Sequence, residues 1–133
     1  MHIEIVTPRG LVFRGEVDEV TVPGAVGELG LLPGHIPIIT ALDVGEMVLR
    51  SGGHTEYLAV EGGFLEIARD RINVVTERAL RPDEIDVEAA QQRLHDADAA
   101  LREAAQAGSE QCARVLRDLR RAEAHVRVAR HAG

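Results

Sequence analysis

The sequence predicts an α+β chain in which a β-rich portion, folded as a sandwich or barrel, precedes an antiparallel pair of helices. Three observations carry this. Up to about residue 80, short runs of Val, Ile and Thr alternate with Gly and Pro, the pattern of strands and turns. After Pro82 the β-branched residues thin out and Ala, Gln, Glu and Arg take over. In this second part apolar residues recur at alternating intervals of three and four, which is the spacing of a helical seam.

The runs predict strands at Ile3 to Thr7, Glu16 to Val22, Ile36 to Leu42, Glu46 to Arg50, Thr55 to Val60, Phe64 to Arg69 and Ile72 to Thr76. Turn signals separate them at Pro8-Arg9-Gly10, Pro23-Gly24, Gly52-Gly53, Gly62-Gly63 and Asp70. Strands this short and this numerous favour a sandwich or barrel. Leu65 and Ile67 share a face opposite Glu66, and Ile72, Val74 and Thr76 oppose Asn73 and Val75. Such alternation leaves one face wetter, as antiparallel sheets usually do. Both glycine doublets read as tight turns that need positive φ.

The first helix is expected to start after Asp86, an N-cap residue, with Glu88 near the positive end of the helix dipole. Its seam runs through Val87, Ala90, Leu94, Ala97, Leu101 and Ala104. Gly108 supplies a C-cap and Ser109 a new N-cap, and a second seam follows at Cys112, Val115, Leu119, Ala122, Val126 and Ala129. Two seamed helices joined by a short turn form a hairpin. A buried methylene contributes only ~0.8 kcal/mol, so seams this rich in alanine hold weakly and their contact can be exchanged for another.

Composition narrows the function classes. The chain has 133 residues and one cysteine, Cys112, which excludes an internal disulfide and a cysteine metal cage and fits a reducing compartment. MHIEIVTPRG lacks the basic lead and apolar run of a secretory signal, and no segment is long and apolar enough for a membrane-spanning helix. The expectation is a soluble cytosolic chain. All fifteen basic residues are arginine, so lysine chemistry is absent. The net charge of −7 and the scarcity of aromatics (two Phe, one Tyr, no Trp) argue against nucleic acid as a partner.

Catalytic and metal-binding patterns are also missing. Ser51 and Ser109 are the only serines and neither lies in G-x-S-x-G, the six histidines lack metal-ligand spacing, and Gly24, Gly27 and Gly30 do not form a dinucleotide fingerprint. No cofactor, metal or enzyme activity is expected. Two stretches do point to partners. Residues 110–133 carry six arginines against three acidic residues on an otherwise acidic chain. Arg114, Arg117 and Arg121 share one helix face, with His125 extending it and Arg120, Arg127 and Arg130 nearby. This basic face suits an acidic surface elsewhere. The other stretch, GELGLLPGHIP at 27–37, combines loop composition with Leu29, Leu31, Leu32 and Ile36, and an apolar loop suggests a partner.

GELGLLPGHIPIIT at 27–40, LAVEGGFLEI at 58–67 and EIDVEAA at 84–90, in this order and spacing, resemble the epsilon subunit of F-type ATP synthases. The resemblance covers the whole chain. It implies an N-terminal antiparallel β-sandwich domain, 1–84, followed by a C-terminal antiparallel α-helical hairpin, 85–133. It implies a non-catalytic central-stalk rotor subunit of a proton- or ion-translocating ATP synthase, at the cytoplasmic face of the cell inner membrane and not itself membrane-spanning. The implied partners are the gamma subunit, the membrane-embedded c-ring, and the catalytic alpha and beta subunits.

By the motif match, Glu28, Leu29, Gly30, Leu31, Pro33, Gly34 and His35 would meet the ring. The hairpin is implied to be a switch that permits ATP hydrolysis when folded on the sandwich and blocks it when extended, with Arg114, Arg117, Arg120, Arg121 and Arg127 as contacts to the catalytic head. Some members bind ATP through I-D-x-x-R-A. Here Ile85 and Asp86 match, but Ala89 stands in place of the arginine, so nucleotide binding is expected to be weak or absent. The rival reading is a free-standing ligand-binding module with the hairpin as a dimerisation arm. A carboxylate-pair enzyme using Glu61 and Glu66 is disfavoured, because a five-residue separation on a regular strand puts them on opposite faces.

Overall fold

The computed structural model describes residues 1–34, 37–105 and 109–132, without the side chains of Ser109 and Glu110. Eight strands are present among them: β1 (His2–Thr7), β2 (Gly10–Glu16), β3 (Glu19–Gly24), β4 (Gly27–Leu31), β5 (Ile38–Ser51), β6 (His54–Ala68), β7 (Arg71–Val75) and β8 (Ala79–Leu80). They pair in the order β2-β1-β7-β6-β5-β3-β4, with β8 added to β6, and the sheet curls over itself as a sandwich. Neighbours are antiparallel except for β1 and β7, which run parallel.

Two expected strand pairs prove to be single long strands. The expected strand from Ile36, as far as its residues are described, and the one at Glu46 to Arg50 are both part of β5, which begins at Ile38, and Thr55 to Val60 and Phe64 to Arg69 merge into β6. Gly62-Gly63 is therefore not a turn between strands but a bend within one. On β6, Leu58 and Val60 point into the core, and so do Leu65 and Ile67, so the inward positions change from even to odd numbers across the glycines. β5 makes the same change between Leu42 and Met47. Paired strands that shift together in this way turn a corner and serve both layers of the sandwich. Gly63 has φ +114°, and a Cβ there would lie 1.9 Å from the Val75 carbonyl oxygen, so only glycine fits. Gly52-Gly53 is the two-residue hairpin turn expected, with φ of +54° and +83° between the paired Ser51 and His54.

β2 and β4 were not foreseen. The expected strand at Glu16 begins instead at Glu19, and Pro23-Gly24 ends β3 rather than separating strands, since the turn falls at Ala25-Val26. The principal core gathers inward residues of every strand from β1 to β7 except β2, whose Val12 and Phe13 pack against it half-buried. No helix residue belongs to it.

A single 3-10 turn (Pro82–Glu84) leads into α1 (Val87–Ala104), which is followed by α2 (Ser109–Ala129). Asp86 caps α1 as expected, its Oδ1 accepting from the Ala89 amide at 3.1 Å. The expected helix stop at Gly108 and the capping role of the Ser109 side chain fall outside the described residues. The seams meet: Ala90, Ala97 and Ala104 of α1 and Leu119, Ala122, Val126 and Ala129 of α2 are buried. α2 also lies along β5 and β6, which buries Ala124, His125 and Val128 as well. A second, smaller core joins Ala59, Ile85, Ala90, Val126, Val128 and Ala129, flanked by Tyr57, Leu80 and Leu94.

Candidate functional site

The expected ring-facing stretch divides in two. Along β4, side chains alternate: Glu28 and Gly30 are exposed, Leu29 packs half-buried against the core, and Leu31 is fully buried within it. Leu31 is thus a core residue and not a contact residue, which corrects its expected role. The pairing of β4 with β3 explains this, since it sets Leu31 beside the buried Val20 and Leu29 beside the buried Val22. Three glycines in the run made a strand look like a loop. Past β4 the chain turns outward: Leu32, 56% exposed, stands beside the exposed Pro33 and Gly34, and Val26 at the tip of the β3–β4 hairpin is fully exposed. His35 and Ile36 lie outside the described residues.

The arginines of α2 also divide. Arg121 pairs with Glu61 of β6 and lies 3.6 Å from Asp118, while Arg120 reaches Asp43 of β5 at 3.4 Å. Arg78, from the segment before β8, approaches the same Glu61 at 3.8 Å. Arg114, Arg117 and Arg127 are exposed. His125 does not extend the exposed basic face as expected; it is buried under α2, because the helix carries a second apolar face against the sheet. Further along, His131 stacks on Tyr57 and lies 3.3 Å from Glu46. The docked helix therefore already meets acidic surface within its own chain, through partly exposed arginines whose pairs contribute little each in water.

A cavity of about 630 Å³ opens between the helices and Arg78, lined among others by Arg93, Asp96, Asp118, Arg121 and His125. The two motif residues retained from the nucleotide pattern have structural work. Ile85 is buried in the second core and Asp86 caps α1. Ala89 offers no guanidinium. Glu61 and Glu66 require a correction of a different kind. The bend at Gly62-Gly63 puts both on the face away from the principal core, not on opposite faces, yet Glu61 is held under α2 by arginines and Glu66 stands exposed.

One surface escaped the sequence reading. Across five strands, Ala41 faces Phe64, Phe64 faces Val75, Val75 faces Val6, and Val6 faces Leu11, all on the outward side of the sheet. Phe64 is 63% exposed and Val75 55%, and Ile39 stands beside the row. The adjoining row, Glu66, Asn73, Glu4 and Arg14, is polar. A contiguous apolar strip with a charged border marks an interaction surface. The signal was present in Val75 and Phe64, which sit at the wet positions of the alternation. No helix among the described residues is long and apolar enough to cross a membrane.

The fold is that of a β-sandwich with an exposed apolar strip and a helical hairpin docked against its sheet. The family model described as ATP synthase, Delta/Epsilon chain, beta-sandwich domain matches residues 1–82. The ATP synthase epsilon chain 2 of Syntrophotalea carbinolica is 44% identical over 110 residues, 83% of this chain and 80% of that one. The epsilon chain of Halalkalibacterium halodurans is 42% identical over 106 residues, 80% of each. Among solved structures, a chain of the Euglena gracilis mitochondrial ATP synthase superposes with a TM-score of 0.79 at 22% identity, covering 97% of this chain and 80% of that one. The chain belongs to the ATP synthase epsilon chain family, whose members are non-catalytic subunits of that complex.

Proposed function

We propose that this chain is a central-stalk rotor subunit that links the catalytic head to the membrane ring of an ion-translocating ATP synthase, with its hairpin acting as a conditional inhibitor of ATP hydrolysis. In this reading the outward residues Glu28, Gly30, Leu32, Pro33 and Gly34, with His35, meet the ring at the cytoplasmic face of the cell inner membrane. Leu29 and Leu31 support them from inside. The apolar row centred on Phe64 packs on the gamma subunit of the shaft.

The observation that carries the switch is the division of the α2 arginines. Arg120 and Arg121 are held by Asp43 and Glu61, while Arg114, Arg117 and Arg127 remain exposed. Extension of the hairpin would free all five to meet acidic segments of the catalytic alpha and beta subunits. The alanine-rich contacts beneath α2 make that exchange feasible, since moving a two-state balance from mostly one state to mostly the other takes only ~5 kcal/mol. The principal core draws no residue from the hairpin, which supports two units, 1–84 and 85–133.

The test is ATP hydrolysis by a catalytic head carrying its gamma subunit, before and after addition of this chain. The whole chain should inhibit; the chain cut after residue 84 should bind, keep its β circular dichroism and inhibit little. Charge-assisted hydrogen bonds contribute about 1.5–3 kcal/mol each, so replacing Arg114, Arg117 and Arg127 together by alanine should weaken inhibition at least about tenfold. Equal inhibition by all three proteins would sink the inhibitory role of the hairpin.

ATP is not expected to brake the hairpin. The cavity between the helices sets Asp96 and Asp118 among its arginines, and Ala89 cannot reach a phosphate. Calorimetry on the whole chain should show no binding at micromolar ATP; a micromolar dissociation constant would overturn this.

A further inference from the structure

His125 is the only buried histidine among the described residues, 2% exposed beneath α2. Its Nε2 has no hydrogen-bond partner there and faces Glu61 Oε2, likewise without one, at 3.9 Å. The charged groups around it are Glu61 from β6, Arg78 from the segment before β8, Arg93 and Asp96 from α1, and Arg121 and Asp118 from α2 itself. Glu61, the carboxylate that touches it, is already engaged by Arg121 and Arg78.

We propose that protonation of His125 releases the hairpin from the sandwich, so that acidification moves the chain from its docked to its extended form. A neutral imidazole fits the docked site. An imidazolium would sit nearly dry among three guanidinium groups, with one carboxylate in contact whose charge is already shared. Burial lowers the His125 pKa from its ordinary 6.5; the Glu61 charge raises it, and Arg78, Arg93 and Arg121 push it down again.

The sign follows from linkage. Released into water, the imidazole titrates near its ordinary value, whereas docked it titrates lower. Above that ordinary value both forms are neutral and docking is at full strength. Below it the released form takes up the proton first, and the docking constant falls by up to about tenfold per pH unit until the docked group also titrates. His131, stacked on Tyr57 and 3.3 Å from Glu46, lies beyond the end of α2, away from the guanidinium groups that surround His125.

The inference extends the two-state reading of the hairpin, but its readout needs no catalytic head. A nitroxide attached to Cys112, the only cysteine of the chain, should broaden the amide resonances near Asp43 and Gly62 while α2 is docked. In the full chain this broadening should fade as pH is lowered from 7.5 to 5.5, with the docking constant falling by up to about tenfold over that whole range. In His125→Gln the broadening at pH 7.5 should remain and the fall should disappear. Broadening that does not change with pH, or the same fall in His125→Gln, overturns the proposal. If the variant fails to dock at all, the titration of the His125 ring proton in the unaltered chain decides: a pKa below 6.5 supports the switch and one at or above it refutes it. A hairpin that releases on acidification in a chain that never inhibits the head would leave this inference standing and remove the inhibitory one.

Discussion

Leu31→Ala should lower the stability of the sandwich by about 2–5 kcal/mol, the usual cost of emptying a fully buried leucine site. Leu31 is 0% exposed and packs in the principal core. Its neighbour Leu32 is 56% exposed, so Leu32→Ala should change stability by no more than about 0.5 kcal/mol. The functional effects should be reversed. The Leu32 variant should fold normally yet bind the membrane ring less well, whereas the Leu31 variant should bind normally wherever it remains folded. Urea unfolding of the whole chain, followed by reconstitution with the ring, separates the two. A Leu31 variant of undiminished stability would mean that β4 does not pack as described.

The second large effect concerns association. Phe64→Glu should weaken binding to the gamma subunit at least about thirtyfold, because truncating an aromatic anchor at the centre of an interface commonly costs ~2 kcal/mol or more and a carboxylate adds a desolvation penalty. Phe64 stands between Ala41 and Val75 at the middle of the outward apolar row. Its exposure predicts little loss of stability. Affinity measured against isolated gamma, with denaturant unfolding as control, checks both halves. Unchanged affinity would place the shaft contact on another surface.

Much of the architecture was legible because its signals are local. β-branched runs, the glycine doublet at 52 and 53, the Asp86 cap and the two seams each depend on near neighbours in the chain. What escaped was non-local. The merging of four short strands into β5 and β6 depends on a corner where Gly63 passes close to the Val75 carbonyl, a contact no window of sequence contains. The same corner reverses the facing of Glu66 relative to Glu61, which defeated the period-two count. β4 was hidden because Gly27 and Gly30 read as loop residues although their neighbours Leu29 and Leu31 point inward.

At the candidate sites the residue types were legible but not their commitments. The excess of arginine in the last helix stood out, yet which arginines bind their own sheet depends on Asp43 and Glu61, far away in sequence. His125 looked like part of a polar face because the seam accounts for only one buried side of α2. The packing of that helix on β5 and β6 creates the other.

The parallel pairing of β1 with β7 bears on the order in which the molecule is made. A tight turn can join antiparallel neighbours but cannot supply a parallel one. β1 can pair early with β2, yet its other edge waits until Arg71–Val75 has been synthesised. Until then the side chains of Ile3 and Ile5, later fully buried, lack much of their cover. The two helices follow all the strands in the chain and contribute nothing to the principal core. During synthesis the sheet can therefore close before α2 exists, and the helical arm reaches a dock that is already built.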